Sequence, residues 1–450
     1  MTMKHPPLKP FDEALAELLA CATHLPGRDA VATWDADGRV LVADAVSPLH
    51  VPPQDNSAMD GYALRCADVP AAGAVLRVAQ RIAAGNSGLP LQPGTAARIF
   101  TGAPVPPGAD AVVMQEDCEA LPGAAEDAGE GAGPASAGTS TSADVSTLGR
   151  VRIHTVPQPG QAIRRAGEDI ARGAVVLRAG TRLTPAALGL AASIGMDKLQ
   201  VAQRPRVALF STGDELVMPG ELPPERMPPG AIYNSNRFFL RALLQRLGCH
   251  VTDLGIVPDQ RDATVAALRT ASAQHDLILT SGGVSVGEED HVKPAVQALG
   301  RLDLWQIAIK PGKPFAYGHI DAAAQGGAAS GAAGTSGPTH FIGLPGNPVS
   351  SLITFMLLVR PFLLRLQGVA DVQPRFIAAT AHFDWPKADR RREFVRVRRN
   401  DQGGLDLFAH QGAGVLTSTV WGDGVVDVPP GQTIARGDTV RYLPFAELMA

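Results

Sequence analysis

Four short segments of the chain gather the residue types that handle charged ligands. Ser211-Thr212-Gly213-Asp214-Glu215 follows the apolar run 206–210 (RVALF). Thr280-Ser281-Gly282-Gly283-Val284-Ser285-Val286-Gly287-Glu288-Glu289-Asp290 follows DLIL. Lys310-Pro311-Gly312-Lys313-Pro314 follows LWQIAI, and Leu344-Pro345-Gly346-Asn347-Pro348-Val349-Ser350 follows HFIG. Each offers main-chain N–H groups, hydroxyls or both, and two lead into helix starts, where the dipole favours anions. The Gly282-Gly283 step lets backbone approach a phosphate closely, while Lys310 and Lys313 bring mobile positive charge. Glu215 and Asp290 are carboxylates beside these loops. Hard oxygen ligands near phosphate oxygens suit Mg²⁺, which takes one or two protein carboxylates. The pattern predicts a site for an anionic, phosphate-bearing ligand with a divalent cation. Neither GxxxxGK[ST] nor GxGxxG occurs, so it is not a P-loop or a dinucleotide fingerprint.

Taken singly, TGDE reads as a turn and LPGNP as a rigid strand-to-helix bend. The small residues of SGGVSVGEED have no packing rationale. Four such loops after successive strand ends make a shared ligand site the stronger reading. Two further segments lie near the N-terminus. Asp55-Asn56-Ser57-Ala58-Met59-Asp60-Gly61-Tyr62-Ala63 sets polar side chains around a Met, and 98–106 (RIFTGAPVP) ends a strand in a Pro-rich turn. Either reads as loop chemistry alone. Facing the site of a second subunit, Asp60 and Thr101 would complete a composite pocket.

The elements that must position these loops follow from periodicity. Residues 11–19 (FDEALAELL) have helical spacing, with Phe11, Leu15, Leu18 and Leu19 on one face. Residues 51–120 read as short strands broken by Gly and Pro, a small β-barrel or sandwich. Residues 151–153 resume a strand. Thr184 followed by Pro185 starts a helix, which we expect beside the first helix. From 206 onward strands at 206–210, 251–256, 276–280 and 340–343 alternate with helices at 236–247, 263–272, 292–299 and 348–366. That alternation implies parallel strands with crossovers and a three-layer α/β domain, whose ligands bind outside the carboxyl ends of the strands. Segments 393–399 and 405–409 form a hairpin in a C-terminal β domain.

Composition removes other classes. Forty basic against 44 acidic side chains give a net charge of -4, and aromatics make up 5 %. Neither a positive field nor stacking surfaces for nucleic acid are present. The four cysteines, Cys21, Cys66, Cys118 and Cys249, form no CxxC pair, so no disulfide framework or zinc finger is suggested. No secretion signal is read at the start, and the strongest apolar run, 352–359, is far short of a membrane span. A reduced cytoplasmic protein is expected. Residues 121–147 and 321–339 are rich in Gly, Ala, Ser and Thr and read as flexible inserted loops.

In order along the chain, DNSAMDGYA, RIFTGAPVPPGADAVVMQED, RRAGEDI, STGDELV, IYNSNR, LGIVPD, TSGGVSVGEEDHVK, KPGKPFAYG and LPGNPVSS resemble blocks of the molybdopterin molybdenumtransferases. That family inserts molybdate into molybdopterin and includes the gephyrin E domain. The match covers nearly the whole chain apart from the two Gly/Ala/Ser segments and weakens after about residue 370. The resemblance implies an elongated N-terminal domain (1–50 and 151–202), an inserted barrel-like β domain (51–150), a molybdopterin-binding α/β domain (203–368) and a barrel-like C-terminal β domain (369–450). It also implies a homodimer that works with a molybdopterin adenylyltransferase and downstream molybdenum-cofactor enzymes. The implied reaction takes adenylylated molybdopterin and molybdate to molybdenum cofactor and AMP, with Mg²⁺. Positioning, neutralisation of phosphate charge and oxyanion recognition suffice for it.

Residue by residue, the resemblance places Glu215 and Asp290 at the cation and nucleotide end, with Asn234 a third metal position. Lys310, Lys313, Ser285 and Ser350 match the area where the oxyanion is held, and Arg391 matches an arginine lent by the C-terminal domain. Asp60 and Thr101 match N-terminal functional positions. Ser211, Thr212, Gly213, Asp214, Asn236, Ser281, Gly282, Gly283, Gly287, Pro311, Pro345 and Asn347 complete the implied molybdopterin site. Three positions depart from the family. Asn234 stands where Asp is common, Gln306 where Lys is common, and Gly412-Ala413-Gly414 replaces GSG. A molybdopterin adenylyltransferase shares the α/β domain but carries a TTGGTG-like loop. A non-catalytic scaffold of the same fold and a generic nucleotide or sugar-phosphate binder are the other readings.

Overall fold

The computed structural model describes residues 8–122, 148–284, 291–321 and 338–449. The expected loops at 121–147 and 321–339 lie almost wholly outside these residues, and Ser285, Gly287 and Asp290 lie outside them too. Contacts divide the chain into two compact units, one of 44–178 with 186–197 and a larger one of 1–43, 179–185 and 198–450.

The larger unit holds a six-stranded sheet. Its strands are β1 (Arg206–Thr212), β2 (His250–Val257), β3 (Leu277–Ser281), β4 (Gly300–Trp305), β6 (Ala316–Ile320) and β7 (Thr339–Leu344), with β5 (Ile309–Lys310) belonging elsewhere. The order is β2-β1-β3-β7-β6-β4. The first four are mutually parallel, as the alternation of strand and helix requires. Of the other two, β6 alone departs from the all-parallel expectation: it runs antiparallel to both β7 and β4, so β4 points the same way as the first four. Between β4 and β6 the chain has no helix to carry it back across the sheet, and a connection without a crossover returns antiparallel.

Side chains alternate between the two faces of the sheet. Val207, Leu209, Leu277 and Leu279 join a cluster with Leu240 and Leu244 of helix α2 (Asn236–Arg246) and Ile353 and Phe362 of helix α5 (Pro348–Leu366). Ala208, Phe210 and Ile278 face the other way, onto Leu268 of α3 (Arg261–Ser272) and Val292 and Val296 of α4 (Val292–Leu299). Two helical layers around one sheet result. Helix α1 (Phe11–Cys21) buries Phe11, Leu15 and Leu18 in the first cluster, within the larger unit. The helix Pro185–Ser193 belongs almost wholly to the other unit. By length and composition α5 could cross a bilayer, but 94 % of its apolar window is buried in the protein, so it is a core helix.

Strands β8 (Ile377–Ala381), β9 (Arg392–Arg399), β10 (Gly404–Leu407), β11 (Gly424–Val428) and β12 (Thr439–Pro444) close a five-stranded barrel, since β9 pairs with both β10 and β11. The expected hairpin is the β9–β10 pair. The short β5 runs parallel to β9, pairing Lys310 with Glu393. Lys310 therefore sits on the barrel and not at the end of a central strand.

The smaller unit is built on a curled six-stranded sheet. Its order is Ala111–Met114, Gly61–Leu64, Thr95–Ile99, Ala74–Ile82, Arg150–Ile153 and Cys118–Leu121, and no ladder closes it among the described residues. Tyr62, Leu64, Val113 and Val151 form one of its cores, and Ile82, Leu91 and Ile99 another.

Candidate functional site

The carboxyl ends of β1, β3 and β7, three adjacent parallel strands, open into a cleft of about 580 Å³. Thr212, Gly213, Glu215, Asn234, Asn236, Ser281, Gly282, Gly283, Pro345, Asn347 and Ser350 all line it. The sequence reading thus places these residues correctly in one cradle. Strand β1 extends through Ser211 and Thr212, which were expected in the loop.

The loops are tied to each other by side chains. Asn236, at the start of α2, donates from Nδ2 to Ser281 Oγ at 2.8 Å and to the Gly346 carbonyl at 2.7 Å. One amide thus joins the ends of β3 and β7. Ser351 Oγ donates to the Pro345 carbonyl at 3.0 Å and braces the turn into α5. Gly282 and Gly283 have φ of +93° and +64°. A Cβ on Gly282 would stand 2.4 Å from the Thr212 carbonyl oxygen, and one on Gly283 would stand 2.5 Å from Val292 Cγ2. These glycines therefore permit close packing of β1 on β3 and α4, a role in addition to the expected approach to phosphate. The Glu215 carboxylate folds back against Gly213, where a Cβ would meet Oε2 at 2.5 Å.

Several polar atoms here have no partner. Ser211 Oγ, Thr212 Oγ1, Thr280 Oγ1 and Asn234 Nδ2 are buried without a hydrogen bond. Thr212 and Asn234 line the cleft, so a polar ligand would satisfy groups that are costly to bury alone. The Asn234 Oδ1 accepts the Arg237 N–H at 3.2 Å, which leaves its Nδ2 as the atom on offer. A donor suits an acceptor oxygen better than a cation. Among the described residues no group of three or more His, Cys, Asp or Glu gathers in metal-binding geometry. Glu215 is the one expected carboxylate at the cleft, and Asp290 lies outside the described residues.

Other expected residues sit around this cradle without lining it. Ser211 is buried in β1, and exposed Asp214 accepts the Asp259 N–H at 3.2 Å. The 310–314 loop lies against the first turns of α5, since a Cβ on Gly312 would be 2.4 Å from Thr354 Cγ2 and 3.6 Å from the Ser350 carbonyl. From this loop Pro314 reaches the cleft, whereas Lys310, Pro311 and Lys313 do not line it. Lys310 Nζ is held by Glu393 at 2.6 Å and Asp389 at 3.5 Å. Arg391 forms a two-pronged contact with Asp389, Nε to Oδ1 at 3.1 Å and Nη2 to Oδ2 at 2.9 Å. The Arg391 hydrogen bond pulls the Asp389 carboxyl well below the usual carboxylate range. Trp385 Nε1 donates to the second Glu393 oxygen at 2.9 Å.

In the smaller unit, Asp60 Oδ1 accepts both the Thr101 N–H at 2.8 Å and its hydroxyl at 2.7 Å. These bonds, the N–H first, hold the Asp60 carboxyl below its ordinary value. The structure thus brings together the two N-terminal residues that the sequence paired only by expectation.

Sequence reasoning missed Asp259 and Gly414 in the cleft and Asp389, Glu393 and Trp385 around Lys310. Asp389 and Glu393 flank a run of three arginines, and that charge alternation is the signal that could have found them.

Family models match along the chain: the MoeA N-terminal region (domain I and II) over residues 9–195, a probable molybdopterin binding domain over 208–365, and the MoeA C-terminal region (domain IV) over 378–445. The chain is 37 % identical over 422 residues to the molybdopterin molybdenumtransferase of Haemophilus influenzae, covering 92 % of this chain and 93 % of that one. It is 33 % identical to the Nostoc enzyme of the same name, covering 91 % and 87 %. Dictyostelium discoideum gephyrin matches at 31 %, over 80 % of this chain and 50 % of gephyrin. The crystal structure of a molybdopterin biosynthesis MoeA protein from Pyrococcus horikoshii superposes with a TM-score of 0.76 at 26 % identity, covering 97 % of this chain and all of that one. With three-domain matches in family order and a relative aligned over nine-tenths of both lengths, the chain belongs to the molybdopterin molybdenumtransferase (MoeA) family.

Proposed function

We propose that this chain is a molybdopterin molybdenumtransferase, a transferase of molybdenum cofactor biosynthesis that inserts molybdate into molybdopterin. The carrying observation is the cleft at the ends of β1, β3 and β7, whose buried Thr212 hydroxyl and Asn234 amide await a polar ligand. Adenylylated molybdopterin is the substrate form, with AMP released as molybdate is loaded. Matches to the MoeA regions over 9–195 and 378–445, beyond the molybdopterin-binding domain, favour this over an adenylyltransferase.

Within this reading, the 281–283 and 345–347 loops cradle the pterin phosphate through main-chain N–H groups and the Ser281 hydroxyl. Ser350, Lys313, Lys310 and Arg391 hold the oxyanion, and their part is orientation and charge stabilisation rather than covalent chemistry. Glu215, with Asp290, would hold Mg²⁺, which suits a site of one or two carboxylates plus substrate phosphates and would offset phosphate charge. Asp60 and Thr101 would reach the cleft of a second copy in a homodimer. We also take the domains as 1–50 with 151–202, 51–150, 203–368 and 369–450. The four unpaired cysteines support a cytoplasmic setting.

The test supplies purified protein with adenylylated molybdopterin, Mg²⁺ and molybdate, and follows AMP. Molybdate-dependent AMP release without ATP is expected. Pyrophosphate release that requires ATP would identify an adenylyltransferase instead, and no turnover would leave a binding scaffold.

A further inference from the structure

Asp60 and Thr101 sit where three strand ends of the smaller unit meet. Asp60 directly precedes the strand Gly61–Leu64, Thr101 lies just beyond Thr95–Ile99, and Gln115 directly follows Ala111–Met114. Gly61 pairs with Ile99 on one side and Met114 on the other, both antiparallel. The middle strand therefore starts where its two neighbours end. One side chain spans all three ends. Arg98, opposite Tyr62 in this register, donates from Nη1 to the Gly61 carbonyl at 3.0 Å and from Nη2 to Gln115 Oε1 at 2.6 Å. The Gln115 main-chain N–H in turn donates to the Asp60 carbonyl at 3.0 Å.

Two aromatic rings hold that guanidinium in place. Its carbon lies 5.1 Å from the Tyr62 ring centroid and 4.8 Å from that of Phe100, the residue next to Thr101. Arg81 also lies over Phe100, at 4.6 Å, but among the described residues it makes no hydrogen bond to a strand end. Asp60 Oδ1 is taken by the two Thr101 bonds, which leaves Oδ2 as the acceptor a ligand can use. Where Oδ2 stands depends on the Asp60 main chain. Arg98 fixes that main chain twice, at the Gly61 carbonyl directly and at the Asp60 carbonyl through Gln115. A guanidinium presents its donors in a rigid fork, so the two acceptors it joins are also fixed relative to each other.

We propose that Arg98 is a positioning residue for the Asp60–Thr101 pair: its guanidinium, steadied by Tyr62 and Phe100, ties three strand ends together and so sets where the Asp60 carboxylate is presented. This rests on the reading that the pair takes part in molybdate transfer. Arg98 acts through the pair, by placement. Its charge also helps the two Thr101 bonds, which come first, to hold the Asp60 carboxyl below its ordinary value. Asp60 and Thr101 stand on turns at the sheet's end and have no buried core of their own, so a tie of this kind is what their geometry depends on.

The test follows molybdate-dependent AMP release from adenylylated molybdopterin by the full-length protein, with melting temperature measured in parallel. Arg98→Ala should lower kcat about tenfold, because misplacement by a fraction of an ångström to 1 Å costs that much. Arg98→Lys should recover part of the loss, since an ammonium reaches one acceptor where the fork reaches two. Arg81→Ala removes a cation from the same ring but no tie between strands, and should stay within about twofold of wild type. The deciding measurement is a double-mutant cycle. In an Asp60→Ala background, Arg98→Ala should cost nothing further, whereas a general loosening of the smaller unit would multiply the two losses. Should Arg98→Ala fail to fold, Gln115→Leu cuts the same tie and goes through the same cycle. Wild-type turnover in Arg98→Ala beside an impaired Asp60→Ala, or multiplied losses in the cycle, would overturn the role of Arg98 and leave the Asp60 reading standing. Equal losses in Arg81→Ala and Arg98→Ala would also overturn it, since the strand tie would not be what matters. Wild-type turnover in Asp60→Ala, or no molybdate-dependent AMP release by the unaltered protein, would overturn the underlying reading and the inference with it.

Discussion

At the scale of residues, the molecule separates groups left open for ligand from groups closed on each other. Thr212 Oγ1 and Asn234 Nδ2 are open, whereas Lys310, Arg391, Asp389 and Glu393 are closed. His340 is a third kind, a titratable group kept neutral by packing. It lies at the amino end of β7, away from the strand ends that form the cleft. Its Nδ1 meets the Tyr317 hydroxyl at 3.0 Å, and the Phe362 ring lies edge-on at 5.0 Å. Desolvation, aided by His319, pushes its pKa down to about 4. The unfolded chain takes up a proton near 6.5 that the folded chain refuses. Stability is therefore complete above pH 6.5 and is lost as pH falls toward 4, by up to roughly 3 kcal/mol. Urea midpoints measured from pH 7.5 to 4.5 should show that slope in the wild type and a flatter one in His340→Phe. Equal slopes would assign the acid sensitivity elsewhere.

At the scale of elements, the cleft exists because three strand ends are packed closer than side chains normally allow. Gly282 is one such point, with its would-be Cβ 2.4 Å from a main-chain oxygen of β1. Gly173 offers a control, because its φ is +87° and a Cβ there would meet nothing within 4 Å. Gly173→Ala should cost about 1 kcal/mol from backbone strain alone. Gly282→Ala should cost about 2–3 kcal/mol, because β1 and β3 must also part. Chemical denaturation of both variants decides the matter, and equal costs would remove the Thr212 contact as the cause. This contrast also marks what the sequence could convey. Helix α4 falls at its expected bounds, and α1 at its expected start, because apolar period and breakers are local signals. The reversed β6, and the transfer of β5 to the barrel, depend on strand pairings that periodicity does not encode. Cleft residues on strand-end loops were therefore legible. Asp389 and Glu393 were legible only as a charge pattern, because their meeting with Lys310 comes from a strand pairing across some eighty residues of chain.

At the scale of the whole molecule, the distribution of cores decides how the protein comes apart. The first core cluster crosses the proposed 368/369 boundary freely. Phe394, Val425, Leu443 and Phe445 of the C-terminal region share it with Phe11 of α1, with α5 and with the central strands. Phe394 meets Phe11 edge-to-face with centroids 5.6 Å apart, and its ring is 2 % exposed. The α/β layers and the barrel consequently have one cooperative fate. The smaller unit keeps its own clusters around Tyr62 and Ile82, built only from its own strands and turns. Heat should therefore unfold the protein in two transitions, one for each unit, rather than in one per proposed domain. Phe394→Ala removes a fully packed ring and should cost the larger unit about 3–5 kcal/mol. The transition of the smaller unit should stay where it is. Differential scanning calorimetry with hydrogen exchange assigns the transitions. If the barrel melts apart from the α/β sheet in Phe394→Ala and the wild type alike, the shared cluster does not couple them. The consequence for function is direct, because Gly414 comes from the C-terminal region while Thr212, Ser281 and Ser350 are on the α/β layers. A cleft assembled from both is complete only while that common core is intact.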